Sequence, residues 1–404
     1  MFIPEYIKID DQGERIVIHS NLDGTVIELT EKEYIEDFKR LRSGNTITNS
    51  KLIEVLKDNN VIIDYDAFKS ISYRIRQHMD KSLILTILPT EGCNFRCTYC
   101  YEAHDNTRIS ETLMEEIVKY IMQEARIVKS IVVNWFGGEP TLEANLIIKY
   151  ANIIKDIVKN NDVEYKASMT TNGYLLDEKM FRKFYDAGIT NYQITLDGFE
   201  HDKKRVFENG QGTLTKILTN LRAIKKLPEE YKYTVVLRRN ILKNENMEWY
   251  DFLAEGFADD KRFKLNIRKV SDFGGEGIES LDLLDGDAVL KKHIEYASRS
   301  FDLLDDDNTD QLYSKMCYAA YPKGFVICPD GTIEKCTVAL HKEYNIVGKI
   351  VVGKGFYIDA AKNKMWSDAE ISKRCMGCKS ALSCNNMQCP RRRFSSETSA
   401  VCCE

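Results

Sequence analysis

Apolar positions follow two alternating rhythms between residues 82 and 272. Short apolar runs at 83–88, 131–136, 165–171, 190–196, 234–239 and 263–270 read as strands. Between them, residues 111–124, 142–159, 177–187, 214–226 and 247–255 repeat apolar positions every three to four residues and read as amphipathic helices. Six strands separated by five helices predict a parallel α/β sheet with right-handed crossovers. Six units fall short of a closed eightfold barrel, so the expected fold is an open, partial (β/α)6 TIM barrel. On such a sheet the chemistry gathers in the loops at the C-terminal strand ends.

The flanking segments have other patterns. Residues 1–79 predict a small separate module. Short strands at 7–9, 15–19 and 25–29 surround Asp-Gln-Gly and Asn-Leu-Asp-Gly turns, and helices at 31–42 and 50–59 precede the apolar run Val61-Ile62-Ile63. This βββαα order is of winged-helix type. The barrel would fill 80–275, and a connector with a helix would fill 276–316. Residues 272–287 are rich in Gly, Asp and Ser, and 302–310 read as a solvated acidic loop. From 317 to 404 the chain is short on hydrophobic periodicity and dense in cysteine, which suits a core held by metal centres.

Composition removes several classes of function. Hydrophobic residues are 43% and charged residues 29%, an ordinary folded balance. Net charge is −5, so the basic footprint of a nucleic-acid binder is absent. No apolar run approaches the roughly 18 residues of a membrane span, and the first residues carry no apolar signal region. The twelve cysteines are the departure: none precedes Cys93, none lies between Cys100 and Cys317, and nine fall in the last 88 residues. Clustered thiols in a long chain without a secretory signal read as metal ligands in a reducing cytoplasm.

Cys93, Cys97 and Cys100 form a C-x3-C-x2-C loop directly after the first barrel strand. Three thiolates can bind three irons of a [4Fe–4S] cluster and leave the fourth iron open for chemistry. Tetrahedral zinc is the structural alternative, with His104 its only local fourth ligand. The loop, with Tyr99 inside it, resembles that of the radical S-adenosylmethionine (SAM) enzymes. In that family the open iron chelates SAM, whose reductive cleavage gives a 5′-deoxyadenosyl radical.

Residues at the following strand ends extend the resemblance. Gly137-Gly138-Glu139-Pro140 resembles the motif for the SAM amino group. Thr171-Asn172 and Thr195-Leu196-Asp197 offer hydroxyl, amide and carboxylate groups suited to ribose. Arg205, in His-Asp-Lys-Lys-Arg, resembles the residue that meets the SAM carboxylate, a pairing its planar fork suits. Tyr99 matches the aromatic near adenine.

The C-terminal pattern is Cys317-x13-Gly331-x4-Cys336, then Cys375-x2-Cys378-x5-Cys384-x4-Cys389, then Cys402-Cys403. It resembles the SPASM extension, which binds two auxiliary [4Fe–4S] clusters in radical SAM enzymes acting on peptides. That family has three residues, not four, before the cysteine matching Cys389. The resemblance places Cys375, Cys378, Cys384 and one of Cys402 or Cys403 on one cluster, and Cys317, Cys336 and Cys389 on the other. Cys328 is either the fourth ligand of that inner cluster or a buried thiol.

The implied cofactors are three [4Fe–4S] clusters and SAM. The N-terminal module resembles the leader-peptide recognition element of maturases, which adds the leader as a strand to a sheet edge. The implied partners are therefore a precursor peptide with its leader and a reductant such as flavodoxin or ferredoxin. The runs at 87–94 and 324–336 look most like enzymes that form Cys thioethers. An anaerobic sulfatase maturase is the first rival. Its family has Asp as general base immediately after the second cysteine of the SPASM pattern, and Thr337 stands there instead. Carbon–carbon cyclisation, carbon–oxygen ether formation and epimerisation of peptides stay open. A multi-cluster electron carrier is the non-enzyme reading, against which the SAM motifs stand.

Overall fold

The computed structural model describes residues 1–4, 6–20, 22–275, 277–304, 316–367 and 389–394. It separates into two compact units. The first takes Met1–Lys81, Asp306–Pro322 and Lys364–Glu404, and the second takes Ser82–Asp305 and Lys323–Asn363.

In the first unit, β1 (Ile7–Asp11), β2 (Ile16–Ser20) and β3 (Val26–Leu29) form an antiparallel sheet with β2 central. Three helices follow: α1 (Lys32–Arg42), α2 (Ser50–Asp58) and α3 (Tyr65–Asp80). The side chains of Asn49 and Asp64 cap α2 and α3 by accepting from backbone N–H groups one or two residues into each helix. Ile16 and Ile18 from the sheet and Phe38, Leu56, Phe68 and Ile75 from the helices are fully buried. The order is thus βββααα: α3 extends the βββαα pattern read from the sequence by one helix.

The second unit carries the expected strands. These are β4 (Ser82–Ile87), β6 (Ser130–Trp135), β7 (Glu164–Thr171), β8 (Asn191–Thr195), β10 (Thr234–Ile241) and β11 (Phe263–Lys269). They pair in parallel in sequential order. The crossover helices are α4 (Glu111–Glu124), α5 (Ala144–Asn160), α6 (Glu178–Asp186), α8 (Leu214–Lys225) and α9 (Glu248–Phe257), with α10 (Ala288–Ala297) after β11. Ser110 and Asp177 cap α4 and α6. Every residue of β4 is buried, as a strand covered on both faces requires.

The segment after Cys317 has more regular structure than its composition predicts. Strands β12 (Gly324–Ile327), β13 (Thr332–Glu334), β14 (Ile346–Val351) and β15 (Gly355–Ile358) continue the same sheet beyond β4. β12 joins β4 in parallel, and the rest are antiparallel. The barrel strands thus belong to one mixed, ten-stranded sheet, with β11 at one end of the strand order and β15 at the other. Because β12 and β4 run the same way, the residues after Ile327 and after Ile87 emerge at the same end of the sheet. Phe356 of β15 stacks on Tyr120 of α4 at 4.0 Å between ring centroids. No helix among the described residues is long and apolar enough to cross a membrane.

Candidate active site

The loop after β4 is pinned before it reaches its cysteines. Thr90 Oγ1 donates to the Thr107 carbonyl and accepts from the Gly92 N–H, and the Glu91 N–H donates to Thr107. Phe95–Cys97 then forms the short strand β5, paired antiparallel with β9 (Arg205–Phe207), so Cys97 faces Arg205 in register. Cys93, Cys97 and Cys100 all line one cavity of about 380 Å³ at the C-terminal ends of the barrel strands, a volume in the usual range for a small-molecule site. Burial pushes all three thiols up, Cys100 to about 12. Metal ligation offsets that cost by taking thiolates as ligands.

Gly138 is fixed by packing against the cysteine loop. A Cβ there would lie 2.3 Å from the Gly92 carbonyl oxygen and 2.4 Å from that of Glu91. The Gly138 N–H donates to Thr90 and the Glu139 N–H to Gly92, so the two loops form one backbone-bonded layer. On the far side Gly275 meets Cys100, with a Cβ position 2.1 Å from its carbonyl oxygen.

Tyr99 is the centre of a polar cluster. Its hydroxyl donates to Asp197 and accepts from Arg205 at 2.9 Å and from the Asn240 amide at 3.1 Å. Burial pushes the Asp197 carboxyl up, and the Arg205 guanidinium opposes that shift. Arg205 Nε is buried without a hydrogen-bond partner in a wall of the cavity. Such an orphan donor beside three thiols fits an anionic group of a ligand.

His201 opens the one-turn helix α7 (His201–Lys204), just before Arg205. Its Nδ1 accepts from the Asp197 N–H at 3.1 Å, which places its proton on Nε2, facing Thr213 Oγ1. That hydroxyl in turn donates to the Arg205 carbonyl at 2.6 Å. Burial, with Arg205 and Lys204 nearby, holds the His201 pKa well below its ordinary value. Burial likewise lowers His293, bonded to Tyr250, to about 4. Both are neutral when folded and bind a proton when unfolded, so they stabilise the fold above pH 6.5. That stability is lost as the pH falls from 6.5 towards 4. Glu102 and Glu334, whose carboxyls burial pushes up to about 7, act in the opposite sense, so the test is a difference: the change in urea unfolding free energy between pH 7 and pH 5.5 should differ between wild type and a His293→Gln variant by on the order of 1 kcal/mol. An equal change in the two proteins would contradict the assignment.

Of the other residues expected from the sequence, Gly137, Gly138, Thr171, Asn172 and Thr195 line the cavity with Tyr99 and Arg205. Glu139, Pro140 and Asp197 are fully buried or nearly so and stand behind its wall. The Glu139 carboxylate accepts from Thr171 Oγ1 at 2.6 Å, the Asn172 N–H at 2.7 Å and the Thr141 N–H at 3.0 Å. It thus fixes the polar edge after β7. Cys328 and Cys336 are buried in the second unit, and Cys317 and Cys389 are half-buried in the first. Cys375, Cys378, Cys384, Cys402 and Cys403 lie outside the described residues.

The cavity also includes residues that the sequence reading did not single out: Arg238, Asn240, Phe273 and Glu102. Arg238 and Asn240 had a usable signal, since polar side chains in the apolar run of β10 must find buried partners. Arg238 donates to Asn240, whose N–H donates to Asp197. Glu102 follows Cys100 by two positions, and burial pushes its carboxyl up to about 7.

Residues 87–255 match the Radical SAM superfamily, so this stretch is a radical SAM domain. Such a domain implies a [4Fe–4S] cluster and SAM. A cysteine-type anaerobic sulfatase-maturating enzyme of Clostridium novyi is 27% identical over 327 residues, 74% of this chain and 85% of that protein. A GTP 3′,8-cyclase of Tolumonas auensis is 31% identical over 175 residues, 42% of this chain and 49% of the cyclase. Streptococcus suis SuiB, solved with S-adenosylmethionine, shares the fold at a TM-score of 0.55 and 14% identity over 100% of both chains. SuiB has also been solved with its precursor peptide SuiA.

Proposed function

We propose that this radical SAM enzyme modifies a ribosomally made precursor peptide by joining a peptide Cys sulfur to carbon. When bound, the cluster, SAM and the C-terminal auxiliary clusters supply a 5′-deoxyadenosyl radical for hydrogen removal and a route out for the second electron. Cys93, Cys97 and Cys100 would hold the first cluster. Arg205, through its fork, would take the SAM carboxylate. Glu139 acts on Thr171 and Asn172, keeping their polar groups at the cavity edge. Tyr99, Asp197 and Asn240 hold Arg205 in place, and the buried wall excludes water from the reacting carbon.

Thr337 is the observation that carries the choice of reaction. It lines the cavity immediately after Cys336, where the sulfatase-maturase pattern has a carboxylate. Its hydroxyl cannot take a proton at neutral pH as a carboxylate does. The full-length fold similarity to SuiB, a protein solved with a precursor peptide, supports a peptide substrate. The separate sheet β1–β3 supports leader binding, since β1 and β3 are its two edges. Formylglycine formation is the second reading, favoured by the match over 85% of the Clostridium novyi enzyme.

Deleting residues 1–79 tests the leader site. Peptide affinity, followed by fluorescence anisotropy, should fall at least about tenfold while 5′-deoxyadenosine formation without peptide persists. Unchanged affinity would remove the N-terminal sheet from the account.

A further inference from the structure

A second donor set lies beside the main cavity. One ligand atom each from Glu91, Cys328 and His341 falls within 4.8 Å of the others. His341 Nε2 is 3.1 Å from Glu91 Oε1. The set follows from the topology. Glu91 leaves β4 and Cys328 leaves β12 at the same end of two paired parallel strands. His341 reaches them with a left-handed backbone, φ 62, which is uncommon for a residue other than glycine. Its N–H is held by Glu334 Oε1 at 2.9 Å.

The surroundings favour a cation. Glu334, Glu91, Asp330 and Glu102 all act electrostatically on the buried Cys328 sulfur. Independently, Glu102 Oε2 is buried with no hydrogen-bond partner. Glu102, Glu91 and His341 line one cavity of about 140 Å³. That cavity shares Tyr101, Glu102, Phe273 and Val338 with the larger one.

We propose that Glu91, Cys328 and His341 bind one divalent metal ion of the zinc class, in a mononuclear site separate from the iron–sulfur clusters. Thiolate with imidazole selects zinc or ferrous iron over magnesium or calcium. The ion ties the cysteine loop to the end of β12. Three protein ligands leave a fourth position for water or a thiol, the arrangement of sites that do chemistry. The half-exposed His341 is the solvent-side ligand and gives the ion its way in. The inference is independent of the substrate assigned above, and Cys328 is thereby spent outside the auxiliary clusters.

The test loads the anaerobically reconstituted full-length enzyme with zinc, desalts it, and measures zinc, iron and the zinc-edge X-ray absorption. The expected result is about one zinc per chain, with one sulfur at about 2.3 Å and nitrogen or oxygen ligands at about 2.0–2.2 Å. His341→Asn keeps the left-handed backbone comfortable and should weaken zinc retention at least about tenfold without loss of iron. Glu91→Gln should do the same. Zinc below about a tenth of an equivalent, a four-sulfur shell, or full retention in His341→Asn would overturn the site. So would a Cys328→Ser variant that keeps its zinc and loses about four irons, because that places Cys328 on a cluster. None of these results bears on whether a peptide is the substrate, which the peptide's own mass reports.

Discussion

Replacing Cys93, Cys97 and Cys100 together by Ala should reduce 5′-deoxyadenosine formation at least about a hundredfold and remove about four irons per chain. The three thiols line one cavity on a loop fixed by Thr90, Thr107 and the Gly138 layer. Each is buried enough to be neutral unless a metal takes it as thiolate. Apart from the Phe95 N–H, which donates to Cys93 Sγ at 3.4 Å, the cited bonds that hold the loop backbone do not involve the thiols, so the variant should fold with a near-normal far-ultraviolet circular dichroism spectrum. Residual SAM cleavage above a few per cent of wild type, in a folded variant, would move the chemistry elsewhere.

Arg205→Ala should have the next largest effect. The side chain is the cation of a buried cluster, donating to Tyr99 while opposing the upward shift of Asp197. Removing the guanidinium takes from the buried cluster its hydrogen bond to Tyr99 and part of the field that opposes the Asp197 shift, a cost on the order of 1–3 kcal/mol. That loss should appear as stability, and SAM affinity should fall about a hundredfold in anaerobic equilibrium dialysis. Arg205→Lys keeps the charge without the fork and should recover stability better than affinity. Equal SAM affinity in all three proteins would take the carboxylate away from Arg205.

The barrel was legible because its strands and helices differ in period as well as in composition. The strand read at 190–196 is Asn191–Thr195, and the helix read at 111–124 is Glu111–Glu124. The strand-end rule then brought together Cys93, Gly138, Thr171, Thr195 and Arg205 from loops far apart in sequence. Helix α3 had its signal, since Phe68, Ile71, Ile75 and Met79 recur at helical spacing after the Asp64 cap. The apolar run Val61-Ile62-Ile63 just before it was read as the last element of the module, so the helix that follows was missed.

Strands β5 and β9 are three residues each and have no period to read. They form by pairing with each other across a long stretch of chain, which leaves no local signal in the sequence. Strands β12 to β15 are short, glycine stands in three of them, and what orders them is long-range: β12 joins β4, and β13, β14 and β15 follow by antiparallel pairing. Glu139 and Asp197 look like ligand groups in sequence. In three dimensions their carboxylates are used one layer behind the cavity, holding the residues that line it.

The central claim is thioether formation on a peptide. Its most direct test is mass spectrometry of a Cys-containing precursor peptide after anaerobic incubation with the enzyme, SAM and reductant, followed by thiol alkylation. The account predicts a loss of two hydrogens per cross-link, with sulfur retained and that Cys no longer alkylatable. Loss of the sulfur with gain of a carbonyl would contradict it in favour of formylglycine formation. A two-hydrogen loss with the Cys still alkylatable would contradict it in favour of a carbon–carbon or ether bond.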